Sequence, residues 1–520
     1  MVQTFVANKV LEVLSESFDG RITFEKIHFK PFTNLVIKNV ALIDENPAVD
    51  PENPDCKLLD TLFRAEYIVA DFSLSTLFAH EGVHIDEVMV KNARMNLVLE
   101  DSRISDSKST NIQRMFNLEN MPESEMPMNE IFNIKKAKVE GMTFAMANYS
   151  KKKIPYYGGI NWNDLEVNDI YANADDLGFK GGAMSGHMNR LSFTEKSGYI
   201  CDHLSGDTYA SNKLTHLTNL RLKDPWSVIT VPDGKLIYEN GVKDMVDYVH
   251  RVVMDIELGK SMVDFKTISY FAPQLEGNRL SLNAQNARFY GTVDDFTIYD
   301  ATVDMEGGGF SGTATVRLAG LPDVTATSIE GQLKDCKATS EGLSKFVTYW
   351  MKGGQLDLSR FAKKDSFTIN GNITGTLNRM VLQPAITSKI GSATGTDICI
   401  EHLLDEKPIK ITGAIDTKNL DAGRIIGSEI IGPTTLSLNA EAIFGGKDSS
   451  IKANIKSLSV ERLNLYGYDY SDIYGEAVIT DKSVDGRLTC NDPNLNFMTQ
   501  GRYDLASNGQ DTKYDFVVML

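Results

Sequence analysis

The chain has 520 residues, 42% of them hydrophobic and 24% charged, with a formal net charge of −17. That composition suits a soluble, folded chain too long for one ordinary core, and the charge excludes partners that need a basic surface, nucleic acid and anionic headgroups among them. No run reaches the roughly 18 apolar residues of a membrane span and no signal peptide is visible. The five cysteines lie at long, irregular intervals without a CxxC pair, so no structural zinc site of the usual kind is expected.

In chain order, Val2, Phe5, Val6, Val10, Val13 and Leu14 recur at the three-and-four spacing of an amphipathic helix. After the Asp19-Gly20 turn, Ile22, Phe24, Ile27, Phe29, Leu35, Ile37, Val40 and Leu42 have strand character. Prolines and acids between Asn46 and Lys57 predict a surface loop. Strand-like runs follow at Ala65–Leu77 and Ile85–Leu99, then a polar stretch and a short helix around Ile112–Leu118. Residues 119–130, rich in methionine, glutamate and proline, read as a linker. Across 131–265 strands alternate with polar turns, interrupted at 243–256. There Met245, Val246, Val249, Val252, Val253 and Ile256 predict a helix of about four turns.

From 266 to 520 one pattern dominates. Phe367, Ile369, Gly371, Ile373, Gly375 and Leu377 alternate with Thr368, Asn370, Asn372, Thr374 and Thr376. Such alternation gives a strand one apolar and one polar face. The same rhythm runs through Phe310, Val316 and Leu318, through Ile409, Ile411 and Ile415, and through Leu436 and Leu438. Glycine inside the apolar row weakens a strand and points to a bend, a bulge or a close neighbour. The best helical interruption is Gly342–Trp350, and uneven spacing excludes a strict solenoid repeat. The fold class expected is mainly β: a long, mostly antiparallel sheet with a few peripheral helices. Its units are 1–118, a linker at 119–130, a segment at 131–265 and a repetitive segment at 266–520. The chain stops within a strand-like run, Tyr514–Leu520, which predicts a piece excised from a longer protein.

The search for chemistry returns no catalytic constellation. His80, Glu81 and His84 match the H-E-x-x-H zinc signature, which needs a helix to bring both imidazoles to one metal. Gly82 and Val83 disfavour that helix and strand-like runs flank it, so the motif is read as a turn and rejected as a metal site. Gly309-Phe-Ser-Gly312 and Gly182-Ala-Met-Ser-Gly186 misplace the serine of a nucleophile elbow, and Gly307-Gly-Gly309 lacks the lysine of a phosphate loop. No cofactor, no metal and no enzymatic activity are expected. The apolar rows have two readings, the dry core of a closed all-β structural or adhesive module, or the lining of an open groove for acyl chains. A groove needs only aliphatic surface, because each buried CH₂ contributes about 0.8 kcal/mol.

Several stretches resemble the AsmA-like and TamB-like family of bridge-like lipid-transfer proteins. They are the Val2–Leu14 segment, Gly20-Arg-Ile-Thr-Phe-Glu-Lys-Ile-His-Phe29, Leu35-Val-Ile-Lys-Asn-Val-Ala-Leu-Ile-Asp44, Ala70-Asp-Phe-Ser-Leu74 and Val83-His-Ile-Asp-Glu-Val-Met-Val-Lys-Asn-Ala93. Further on, Ile268-Ser-Tyr-Phe-Ala-Pro-Gln-Leu275, Gly320-Leu-Pro-Asp323 and Thr368–Leu377 are similar to the TamB-type body. The resemblance implies a β-taco, a long sheet curled into an open U that is apolar inside. It implies a place in the periplasm, an inner-membrane anchor helix absent from this chain, and phospholipid movement to the outer membrane. It also implies outer-membrane protein assembly with a barrel partner of the TamA type. On that reading the alternating residues named from Phe310 to Leu438 line the lipid groove, Gly371 and Gly375 let the sheet curl and leave room for acyl chains, and membranes are reached through the missing terminal segments.

Overall fold

The computed structural model describes residues 20–30, 34–45, 47, 49–50, 53–57, 61–71, 83–99, 110–115, 132–149, 158–180, 182–278, 280–305, 308–350, 365–403, 407–445, 451–504 and 513–520. The fold is mainly β and mostly antiparallel, in agreement with the alternation. It divides into two units, Met1–Gly277 and Asn278–Leu520. The helix expected over Val2–Leu14 and the linker at 119–130 lie outside the described residues.

In the first unit β1 (Arg21–Thr23) and β2 (Lys26–Lys30) both pair with β3 (Asn34–Ile43). The expected loop at 46–57 instead holds a separate ribbon of β4 (Val49–Asp50) and β5 (Asn53–Lys57). A two-stranded ribbon tolerates proline because each strand keeps one free edge for the missing N–H. β3 continues to β6 (Thr61–Asp71), and β6 to β7 (Val83–Leu99). β7 then pairs in parallel with β8 (Phe132–Asn148), across a crossover that carries the short helix α1 (Asn111–Met115). That pairing joins the segments expected as 1–118 and 131–265 into one unit, which runs on to Gly277 rather than ending at 265.

From β8 the sheet proceeds by antiparallel neighbours: β9 (Asp164–Lys180), β10 (Ala183–Glu195), β11 (Ile200–Ala210), β12 (Leu214–Lys223) and β13 (Val228–Tyr238). The helix expected over 243–256 is not formed. A 3₁₀ turn at Val242–Asp247 and the single turn α2 (Tyr248–Arg251) give way to β14 (Val252–Leu258). Val252, Val253 and Ile256 pair opposite Tyr238, Ile237 and Gly234. These β-branched side chains fit both spacings, and the ladder offered by β13 decides for a strand. β15 (Ser261–Asp264) and α3 (Phe265–Phe271) close the unit.

The second unit begins with β16 (Ser281–Gln285) and β17 (Ala287–Gly291), both paired with β18 (Asp295–Met305). β19 (Phe310–Ala319) and β20 (Ser328–Thr339) follow, then α4 (Ser340–Trp350), which covers the expected helix at Gly342–Trp350. Next come β21 (Ser366–Thr376), β22 (Arg379–Ser388), β23 (Gly391–Glu401) and β24 (Ile409–Lys418). The short β25 (Leu420–Asp421) and α5 (Ala422–Ile426) precede β26 (Ile431–Phe444) and β27 (Ile451–Leu465). The unit ends with β28 (Tyr468–Tyr470), β29 (Ile473–Thr480), β30 (Ser483–Asp492), β31 (Leu495–Asp504) and β32 (Lys513–Met519).

The long strands carry acidic and amide residues in the left-handed conformation in their middles. Asn39, Asn92, Asp169, Asn219, Asp300, Asp335 and Asp397 all have φ between 48° and 54°. Asn and Asp tolerate this left-handed conformation better than other side-chain-bearing residues. At Asp300, Asp335 and Asp397 the register slips by one residue, the mark of a β-bulge, which bends a strand and raises its twist. Apolar side chains then return to the same face after three residues, as from Ile298 to Ala301 and from Leu333 to Cys336.

Gly371 and Gly375 have a different part from the one expected. Their φ values are 153° and 123°, and a Cβ on either would meet the backbone of β22, 2.5 Å from the Gln383 carbonyl oxygen and 2.2 Å from that of Arg379. Glycine here allows two backbones to approach; the absent side chain leaves its space against β22 rather than to a ligand.

Candidate apolar binding face

Residues directly opposite each other in a ladder share a face. In the second unit Ile298, Val316, Gly331, Ile373, Leu382 and Ile398 stand opposite one another in succession. A neighbouring row runs from Leu318 through Ile329, Gly375, Met380, Ile400 and Ile411 to Ala442, Ala453, Ile479 and Val484. Ile415, Leu438, Leu458, Gly475 and Leu488 make a third. One face of this sheet is therefore apolar from strand to strand.

The residues singled out from the sequence fall on these rows. Phe310 faces Ala338, which faces Phe367; Ile369 faces Cys336 and Ile386; Ile409 faces Phe444; Leu436 faces Val460. Leu377 lies in the turn after β21. None of these candidates is buried: all are half-buried except Ile415, which is 39% exposed. Toward β32 the face forms a hollow of about 450 Å³ lined by Leu458, Ala477, Leu488, Phe497, Phe516 and Val518.

The first unit has an apolar face of its own, whereas the sequence reading confined such a face to 266–520. Ile37, Ile68, Val90, Val139, Ala172, Leu191, Leu204, Leu222 and Ile229 stand opposite one another from β3 to β13. The signal was present at spacings of three across left-handed positions, as in Val90-Lys-Asn-Ala93 and Leu217-Thr-Asn-Leu220, which a search for strict alternation passes over. Small covers sit on parts of this face. Met115 of α1 and Leu62 are buried together against Ile22, Leu42, Phe63 and Ile112, while Arg114 pairs with the buried Asp44. Ile160, Tyr199 and Cys201 pack with Phe193, Leu204, Leu222 and Tyr270. Burial there pushes the Cys201 thiol up to about 11, so it stays neutral and inert.

The opposite face carries ion pairs. Glu140 bridges Lys138 and Lys91, which hold its carboxyl down at about 2. Arg317 grips Asp295 through two bonds of 2.9 and 2.8 Å. A shallow hollow of about 510 Å³ on this polar side lies beside Thr315, Arg317, Gln332, Asn372 and Gln383. Of the rejected zinc motif, His84 is exposed at the start of β7, and His80 and Glu81 lie outside the described residues. Among the described residues no cluster of three or more His, Cys, Asp or Glu could hold a metal ion, and no helix is long and apolar enough to cross a membrane.

The fold and these rows define a mainly β protein, each of whose two units presents an incompletely covered apolar sheet face. No known family matches the chain, and no curated protein matches its sequence.

Proposed function

We propose that this chain is a non-enzymatic, AsmA-like or TamB-like lipid-transfer segment whose apolar face carries phospholipid acyl chains. On this reading it works in the periplasm between inner and outer membrane and serves outer-membrane biogenesis, including protein assembly with a barrel of the TamA type. One observation carries the proposal: the side chains singled out from the sequence align into apolar rows across the sheet and all stay partly exposed. Unpaired apolar surface on this scale is costly in water and marks a binding surface for lipid or protein. The polar face supports the same assignment, because its ion pairs and net negative charge keep a protein with many strand edges soluble.

The rival, a closed all-β structural module, requires the same rows to be sealed. Lipid extraction from the purified protein followed by mass spectrometry separates the two. Co-purifying phospholipid, together with lipid capture by a photo-crosslinker at Ile373 or Ile411, supports the groove. Protein free of lipid at both positions, even after incubation with phospholipid vesicles, sinks the proposal.

A further inference from the structure

On the polar face of the second unit, Thr315, Gln332, Asn372 and Gln383 stand opposite one another on four successive strands, β19 to β22. Each is one residue out of phase with Val316, Gly331, Ile373 or Leu382 of the apolar row, so this row points the other way. Its side chains lie along the hollow of about 510 Å³, a volume inside the roughly 300–1,000 Å³ range of small-ligand sites. The connections at the near ends of these strands, Gly291–Asp295, Ala319–Ser328 and Thr376–Arg379, all belong to the described residues.

The row is anchored at its ends and unengaged in its middle. The Thr315 hydroxyl accepts from the Asp300 amide at 3.1 Å, and the Gln383 carboxamide donates to the Asp397 carboxylate at 3.4 Å. Asp300 and Asp397 are the bulged residues of the flanking strands β18 and β23, so both anchors ride on local kinks. Gln332 and Asn372 are exposed between them, and through their side chains they bond no other group among the described residues. Each of these two carboxamides can donate and accept at once.

Charge beside the row is matched within the protein. Thr297, Arg317, Glu330, Thr374 and Val381 form the next row along the same hollow. Arg317 holds Asp295 through its two bonds and reaches Glu330 at 3.5 Å, so the guanidinium is engaged on both sides. Val381 adds a half-buried apolar surface. The hollow thus offers neutral hydrogen-bonding groups and a little apolar surface, with no uncompensated cation for an anionic ligand.

From this arrangement we propose that the hollow binds an uncharged, linear oligosaccharide laid across β19 to β22. Neighbouring strands lie about 4.7–4.9 Å apart, so the row presents one hydrogen-bonding group per step of a length comparable to one sugar ring. Adjacent hydroxyls of a sugar both donate and accept, which is what Gln332 and Asn372 require, and the C–H face of a ring packs on Val381. An extended peptide is the poorer occupant, because it is held by main-chain bonds at a free sheet edge, and each of β19 to β22 is paired on both sides. The site lies on the face opposite the acyl-chain rows and does not depend on them.

The test uses the full chain with cellotetraose, chitotetraose and maltotetraose at millimolar concentration, read by saturation-transfer NMR. At least one tetrasaccharide should receive saturation, with a signal that added salt leaves unchanged. The double substitution Gln332→Ala with Asn372→Ala should cut that signal severalfold while melting temperature and bound lipid stay as they were. The isosteric pair Gln332→Glu with Asn372→Asp removes the same donors without changing shape and should give the same loss. No transfer to any of the three sugars, or a signal that both double variants leave intact, overturns the proposal. Binding of heparin or of a glutamine-rich peptide in place of the neutral sugars overturns it as well, by giving the hollow to another ligand class.

Discussion

Replacing Ile373 by Asp puts the open-face reading at risk. Ile373 is half-buried on β21, between Gly331 of β20 and Leu382 of β22. Full burial of an isoleucine is worth about 1.5–3 kcal/mol, and the larger part of that, roughly 1–2 kcal/mol, is lost with this partly exposed side chain. Losing a β-branched residue from a strand adds up to about 1 kcal/mol. On an open face the new carboxylate keeps much of its water, and the total stays near about 2 kcal/mol. In a dry core the unpaired charge adds several kcal/mol more, and β20 to β22 should come apart. Native-state hydrogen exchange followed on peptides of β20–β22 measures the local cost, and mass spectrometry of extracted lipid measures occupancy. The expected result is a modest loss of protection with less bound lipid. A loss above about 4 kcal/mol, or unfolding of these strands, would show that the face is a sealed core.

The glycines of the apolar rows should divide by geometry. Gly371→Ala drives a Cβ to 2.5 Å from the Gln383 carbonyl oxygen at an unfavourable φ, so a cost of about 1–3 kcal/mol is expected in thermal unfolding. Gly331→Leu should keep the melting temperature and lower bound lipid, because its nearest neighbour atoms are side chains of Ile373 and Val316 at 3.7 and 3.8 Å and the added bulk goes onto the face. Asp397→Gly should be nearly neutral, whereas Asp397→Val should cost about 1–2 kcal/mol, because its left-handed φ of 50° suits aspartate, asparagine and glycine but not a β-branched residue. The buried thiols of Cys201, Cys336, Cys399 and Cys490 should resist iodoacetamide at pH 8 and react once the protein is denatured. Since Cys201 titrates at about 11 when folded, against 9.0 unperturbed, its neutral form is favoured by the fold. Its contribution is complete below pH 9 and is lost as pH rises toward 11, which a denaturation series at alkaline pH, compared with Cys201→Ala, reads out.

Alternation of single residues made the strands of the second unit legible, because Thr368, Asn370 and Thr374 keep strict phase with Phe367, Ile369 and Ile373. It failed where a residue in the left-handed conformation shifts the phase. Asn92 and Asn219 put their apolar neighbours three residues apart, and the apolar face of the first unit went unread. Local spacing also misassigned Val252–Leu258, since nothing in those residues announces that β13 is waiting beside them. The parallel register of β7 with β8 was equally invisible, being decided by long-range pairing across a crossover. For the glycines the sequence offered the right alternatives, and only the ladder showed that Gly371 serves the backbone of β22.

The parallel pair has a consequence for how the first unit is made. Strands from β9 to β13 can be added one hairpin at a time, each closing a short connection, which is entropically cheap and fast. β8 cannot join β7 that way, because its first residue, Phe132, must travel back to lie beside Val83. α1 marks the route: Asn111 caps the end of β7 through bonds of 3.0 Å to the Val98 amide and 2.9 Å to the Asn96 carbonyl, and Met115 is fully buried next to Leu62. Docking α1 first shortens the loop that remains to be closed. The β3–β6–β7 block and the sheet beyond β8 can thus fold as separate nuclei, with the crossover setting the rate at which they become one.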